Sequence, residues 1–270
     1  MDVSRVTAPA MSTTRQFFSG VGLLLRGLKL YVRSPKMMLL GIIPALISGA
    51  LFIGAYVTLI YFSGDLAEWV TPFADDWSDG VRQATRLIVA IAFLAVGGLL
   101  AVLTFTAVTL LIGDPFYEKI SEQVEARYGG VPNEVEQPFW RSLGRSIVDS
   151  LRLVGLSVLI GLPLFLGGFI PVVGQIVIPV IAAVFGGWIL ALELVAVPFQ
   201  RRGQRLPGRR EALRANRPIA MGFGVAVFCC FLIPLGAVLI MPAAVAGGAL
   251  LARRSLGLSI EENGSAVSRA

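Results

Sequence analysis

Ile170-Pro171-Val172-Val173-Gly174-Gln175, followed by Ile178-Pro179, lies inside Leu153 to Leu192, a stretch of forty residues without a charge. The pattern recurs as Ile233-Pro234-Leu235-Gly236, followed by Met241-Pro242. In both copies an Ile-Pro opens a turn, a glycine follows shortly after, and a second proline comes eight residues after the first. Proline stops one helix, glycine permits a reversal, and the second proline suits the first turn of the next helix. The reading is two proline-tipped helical hairpins, with tips at Pro171, Gly174 and Gln175 and at Pro234 and Gly236. With no charge near the first tip, this reversal belongs inside or at the edge of a bilayer, and the repeat is the weak internal symmetry of membrane proteins built from paired units.

Composition agrees. The 270 residues are 56% hydrophobic and 15% charged, with a mean hydropathy of +0.78, too apolar for a soluble globule. The predicted fold class is an all-α integral membrane protein. Met37 to Phe62 and Leu87 to Ile112 are long enough to span. Pro44, after Gly41, should kink the first of them. Forty residues of helix are about 60 Å, enough for two crossings in the hairpin 153–198. The hairpin 218–252 is shorter, leaving full crossing and partial entry both open. Residues 1–13 and 255–270 read as polar tails around a single membrane domain, 14–254. No signal peptide is expected, because the first apolar run begins only after Lys36 and lacks a small-residue cleavage site.

Charge placement orients the chain. From Thr14 to Arg33, Phe17, Val21, Leu24, Leu28 and Tyr31 keep a helical spacing, and Arg15, Arg26, Lys29 and Arg33 lie opposite. Such a helix reads as interfacial on the cytoplasmic leaflet, or as packed against a partner. The loop 63–85 holds five acids, against Arg82. The linker 199–217 holds seven arginines against Glu211. By the distribution of Lys and Arg, both termini, the 114–152 helices and the linker face the cytoplasm, and the acidic loop faces out.

Several segments carry candidate chemistry. Asp114 is a good N-cap and Pro115 a good first residue for a helix starting there, ended by Gly129-Gly130. Phe116, Ile120, Val124 and Tyr128 repeat every four residues along it. Glu122, Glu125 and Arg127 read either as a charged constriction at a pore mouth or as the solvated face of that helix. Arg141, Arg145, Asp149 and Arg152 form a mostly basic stripe. It and the arginine linker suit an anion path or anionic lipid headgroups, and little aromatic interleaving argues against nucleic acid. Glu193 is either an intramembrane carboxylate or an ordinary helix-end acid. The arms starting near Gln175 and Ala237 point helix N-termini at the tips, which suits an anion, though hairpin closure explains the same residues. Histidine is absent, so histidine catalysis, proton relays and metal ligation by that side chain are excluded. Cys229 and Cys230 are vicinal and read as packing residues. No nucleophile–base pair, metal set, cofactor motif or phosphate-binding loop is recognised, so the chain reads as a non-enzyme without metal or cofactor.

These residues together resemble the CysZ family of sulfate permeases, part of a group named for an etoposide-induced membrane protein. The resemblance rests on Phe17 to Leu30, the Pro35-to-Pro44 spacing, and Pro115-Phe116 with the run Glu122 to Arg127. It also rests on Phe169-Ile170-Pro171 with Gly174-Gln175, Pro198-Phe199, and Ile240 to Ala243. It implies two long spanning helices, two hairpins that penetrate only partly, a homo-oligomer, and passage of sulfate through the plasma (inner) membrane into the cytoplasm for cysteine synthesis. It further implies a substrate-binding stretch at Pro35, Lys36, Met37, Met38, Gly41 and Pro44. The arginine pair usual there is Met38 and Leu39 here, with Lys36 the nearby cation, and the acid usual before Pro198 is replaced by Ala196. The alternative function is a non-transporting scaffold that binds anionic lipids.

Overall fold

The computed structural model describes residues 12–131, 134, 139–171, 173–233 and 235–261, and over 139–150 and at 173 the backbone alone. Among the described residues there is no strand. The helices are α1 (Thr13–Arg33), α2 (Pro35–Val70), α3 (Asp79–Arg127), α4 (Phe139–Gly167) and α5 (Val173–Leu194). They continue as α6 (Ala196–Gln200), α7 (Leu206–Ala215), α8 (Arg217–Phe231) and α9 (Gly236–Ser255). Four of them, α2, α3, α5 and α9, are long and apolar enough to cross a membrane. The chain is therefore an all-α membrane protein. It divides into two compact units, residues 41–116 and the remainder.

The 41–116 unit pairs most of α2 with most of α3. Tyr56 donates its hydroxyl to the Leu94 carbonyl at 3.2 Å, Phe52 meets Phe105 edge-on at 5.6 Å, and Leu59 lies against Gly97. Apolar side chains such as Leu46, Ile53, Leu99 and Leu103 are exposed around this pair, as expected for helices solvated by lipid.

Charge does not end these helices. α2 runs through Asp65 and Glu68 to Val70, and α3 begins at Asp79, so the expected 63–85 loop shrinks to 71–78 with a 3-10 turn at Pro72–Ala74. Acidic residues mark contact with water and still propagate helix; Thr71-Pro72 is the first true stop. The turn is clasped by Arg86, which bonds Glu68 and Asp75 at 2.9 Å each, and Arg82 pairs with Asp79. These partners are mostly exposed, so Arg86→Gln is expected to cost about 1 kcal/mol or less, shrinking as salt is raised. Thermal unfolding at two ionic strengths checks it.

Pro115 is likewise no helix start. α3 continues through Gly113-Asp114-Pro115 for 49 residues. Proline removes one backbone bond but its φ is helical, and beyond it Tyr117, Ile120, Val124 and Tyr128 are buried and hold the helix in register. Gly129 and Gly130, with φ of 100° and 75°, do terminate it, and the Gly130 N–H closes on the Glu125 carbonyl.

In the other unit α9 lies innermost, packed by α1, α5, α6, α7 and α8. Its apolar window is 83% buried, against 0% for the more apolar window of α3, so α9 is surrounded by protein while α3 presents its side chains to lipid. The seams run through glycine: a Cβ on Gly187 would meet the backbone of Gly224 and Val225, and one on Gly248 the Leu194 carbonyl. In lipid, where apolar contact alone drives little association, such close backbone approach supplies the packing. α1 packs on α8 and α9 through Gly20, Leu23, Leu24, Gly27 and Leu30. Its outward side divides into an apolar stripe (Phe18, Leu25, Val32) and a basic one (Arg15, Arg26, Lys29, Arg33), all exposed.

Both hairpins form where the prolines place them. α4 turns into α5 after Gly167, and α8 into α9 after Phe231; Val172 and Pro234 lie outside the described residues. The tip glycines are needed for closeness, not for a left-handed φ. A Cβ on Gly174 would stand 2.1 Å from the Gly168 carbonyl, and one on Gly236 2.1 Å from that of Cys230. The left-handed residue is Leu235, at φ 60°. Pro179 and Pro242 fall inside α5 and α9 rather than in their first turns, because each helix restarts directly after the turn. One arm of each hairpin is short: the apolar part of α4 is Leu151–Gly167, and α8 is 15 residues, about 22 Å against a 30 Å hydrocarbon core.

Candidate functional site

The first expected segment begins where α1 breaks. Ser34 alone separates α1 from α2, and Pro35 opens the new helix, where a missing N–H costs nothing. Tyr31 donates its hydroxyl to the Met38 carbonyl at 3.4 Å, and burial raises the pKa of that phenol, so it stays a donor. Met37 is buried, Met38 half-buried, and Pro35 and Lys36 are exposed. Lys36 and Arg33 are thus cations open to solvent at the junction. Gly41 and Pro44, both buried, follow on α2 within the other unit.

The strongest charged arrangement centres on Glu125. Its neighbours Ser121 and Val124 on α3, and Tyr128 just beyond it, are buried and so is Glu125 itself, at 0% exposure; it belongs to the packed face and not to the solvated one. Arg202 grips the carboxylate with two parallel bonds of 2.8 and 2.9 Å. Arg253 reaches the second oxygen at 2.8 Å. The remaining donors meet backbone: Arg202 bonds the Pro198 carbonyl, and Arg253 bonds those of Gly130, Tyr128 and Ser259. Burial strengthens these charge-assisted bonds and also makes each partner indispensable. Among the described residues, two guanidiniums share this one carboxylate. The cluster locks the end of α3 to α6 and α9.

The other expected charged residues stand apart from this cluster. Glu122 pairs with Lys119 on the surface, Arg127 is exposed, and Glu193 is exposed near the end of α5. At the tips, the Gly174 and Gly236 N–H groups turn back to the Ile170 and Ile233 carbonyls, so hairpin closure uses them; Pro171 and Gln175 are exposed. An open cleft of about 480 Å³ among α4, α5 and α8 is lined by apolar side chains such as Ile160, Phe185 and Phe228. Ser157 also lines it, but its hydroxyl is donated to the Leu153 carbonyl. Such walls suit hydrocarbon and not a dianion.

The arginine linker is not one uniform patch. It folds into α6 and α7, which sends its cations different ways. Arg202 is in the Glu125 cluster, Arg201 pairs with Glu134 at 2.8 Å, and Arg209 is 1% exposed against the Leu192 carbonyl. Sequence reasoning missed Arg202 and Arg253 as partners of Glu125. The available signal was that Glu125 adjoins the buried Val124 stripe and that Arg253 follows an unbroken apolar run.

Comparison with known proteins agrees with this architecture. The profile of the family described as "Sulfate transporter CysZ/Etoposide-induced protein 2.4" matches residues 23–242. Proteins named sulfate transporter CysZ from two Pseudomonas fluorescens strains are similar. The Pf0-1 protein is 30% identical over 244 residues, covering 88% of this chain and 94% of its own. The Pf-5 protein is 31% identical over 249 residues, covering 89% and 95%. One of the same name from Pectobacterium atrosepticum is 27% identical, covering 89% and 84%. The chain belongs to the sulfate transporter CysZ/etoposide-induced protein 2.4 family.

Proposed function

We propose that this protein is a permease that moves sulfate across the cell membrane into the cytoplasm, supplying sulfur assimilation and cysteine synthesis. The observation that carries the reading is the family match over residues 23–242 in a chain with four helices long enough to span. The names of its relatives do not favour a non-transporting scaffold.

In this reading the termini and the arginine-rich helices face the cytoplasm, since Lys and Arg are retained on that side, and the protein works as a homo-oligomer. A dianion loses a large hydration energy in a narrow path and needs donors or cations along it. Lys36, exposed at the start of α2, is the cation proposed to meet it, close to Met38 and Leu39, which match the positions of the family's basic pair.

Radiolabelled sulfate uptake in a bacterial strain lacking its own sulfate transporters tests the proposal. Uptake above the empty vector, with growth on sulfate as sole sulfur source, is expected; background uptake by normally inserted protein would discard it. Lys36→Gln is expected to reduce uptake several-fold at unchanged membrane abundance, because an exposed lysine with no ion pair among the described residues contributes little to stability.

A further inference from the structure

Four arginines of the linker region, Arg205, Arg210, Arg214 and Arg217, make no ion pair among the described residues, and Arg152 on α4 makes none either. Four of these five gather at two adjoining grooves. Arg210 and Arg214, one turn apart on α7, share a groove of about 630 Å³ with Arg152. Arg214 and Arg217 border a second groove of about 450 Å³ whose other wall includes Phe185 and Trp188 of α5. Arg214 therefore stands between the two.

The walls below these cations are apolar. Leu156 and Leu159 of α4 face Leu206 and Pro207 of α7 in the first groove. Gly155 lines it too, and no atom lies within 4 Å of where its Cβ would be, so the floor is open. The α4 face carrying Leu159 continues through Leu162 and Leu166, all exposed at 58% or more. A cationic rim above an apolar trough that runs out along an exposed helix face matches a ligand with a phosphate head and hydrocarbon tails. A free inorganic anion gains nothing from Leu156, Leu159 or Trp188. Tryptophan beside arginine is also the pairing found at headgroup depth.

We propose that these grooves hold one anionic phospholipid carrying two phosphodiester groups, of the diphosphatidylglycerol type. Arg152 and Arg210 take one phosphate, Arg217 the other, and Arg214 bridges them, while acyl chains lie along the α4 and α5 walls. Guanidiniums suit this role because they meet phosphate oxygens with paired donors and remain charged at any working pH. The site does not rest on the transport reading.

The test is native mass spectrometry of the detergent-solubilised full chain with tetraoleoyl cardiolipin, dioleoyl phosphatidylcholine or inorganic phosphate added. Cardiolipin is expected to remain bound at least tenfold more than phosphatidylcholine. In Arg210→Gln/Arg214→Gln its bound fraction should fall about tenfold or more, with the fold retained because these side chains have no ion-pair partner among the described residues to orphan. Gly155→Phe keeps every charge and fills the trough, and should also reduce binding several-fold. Arg205→Gln, outside both grooves, should leave it unchanged. Equal retention of the two lipids, or cardiolipin binding indifferent to both the double arginine variant and Gly155→Phe, would overturn the site. So would displacement of cardiolipin by sulfate or phosphate beyond that by chloride at equal ionic strength, which assigns the arginines to a free anion.

Discussion

Glu125→Ala is expected to destabilise the protein by about 3–5 kcal/mol, because it strands two buried guanidiniums that share one carboxylate. Neither arginine can escape easily. Arg253 is 4% exposed and tied to three carbonyls as well. Arg202 is fixed by the Pro198 carbonyl. The penalty is that of two like charges left together out of water, which exceeds the worth of the lost bonds themselves. In thermal unfolding in detergent the midpoint should drop by about 6–20 °C. Glu125→Gln keeps the shape and part of the bonding, so it should fall between. Arg202→Lys keeps the charge but loses the paired geometry, and should cost less than removing the acid. A midpoint for Glu125→Ala within a degree or two of the wild type would show that the cluster is hydrated and not buried.

That cluster also marks how far sequence reading reaches here. Local signals were legible: the prolines and glycines of both tips, the apolar runs, the helical period of α1, and the end of α3 at Gly129-Gly130. Each depends on residues within a turn or two of one another. The partners of Glu125 lie 77 and 128 residues away, and no spacing rule connects them. Seven arginines that look alike in one linker separate into buried, paired and open groups only once α6 and α7 fold. The helix breaks assigned at 63–85 and at Pro115 were misplaced for a related reason. Acidity and a single proline are weak stops when the flanking residues favour helix and pack. Lys36 and the tips are positioned by the fold, but their chemistry rests on what the family does with a substrate.

Glycines show the same limit, and they supply the second large effect. Gly20 and Gly22 are two residues apart on α1 and look equivalent in the sequence. A Cβ on Gly20 would stand 2.0 Å from the Ile219 carbonyl and 2.8 Å from the Phe223 nitrogen, whereas one on Gly22 would meet nothing within 4 Å. Gly20→Ala is therefore expected to cost about 1–3 kcal/mol by forcing α1 off α8, since backbone atoms cannot turn aside as a side chain can. Gly22→Ala should stabilise by about 0.5–1 kcal/mol through helix propensity alone. Gly27 makes the corresponding approach to α9, 2.3 Å from the Ala243 carbonyl, one heptad further on and about 10 Å along the axis. α1 is thus seated at two points. A Cβ at either one lifts the helix as a rigid rod and partly relieves the clash at the other. Gly20→Ala/Gly27→Ala should consequently cost less than the sum of the two single variants. Unfolding midpoints of the four proteins in one detergent decide it: strict additivity would mean that α1 bends between its two seats, and equal effects at Gly20 and Gly22 would mean that it is not seated on α8 at all.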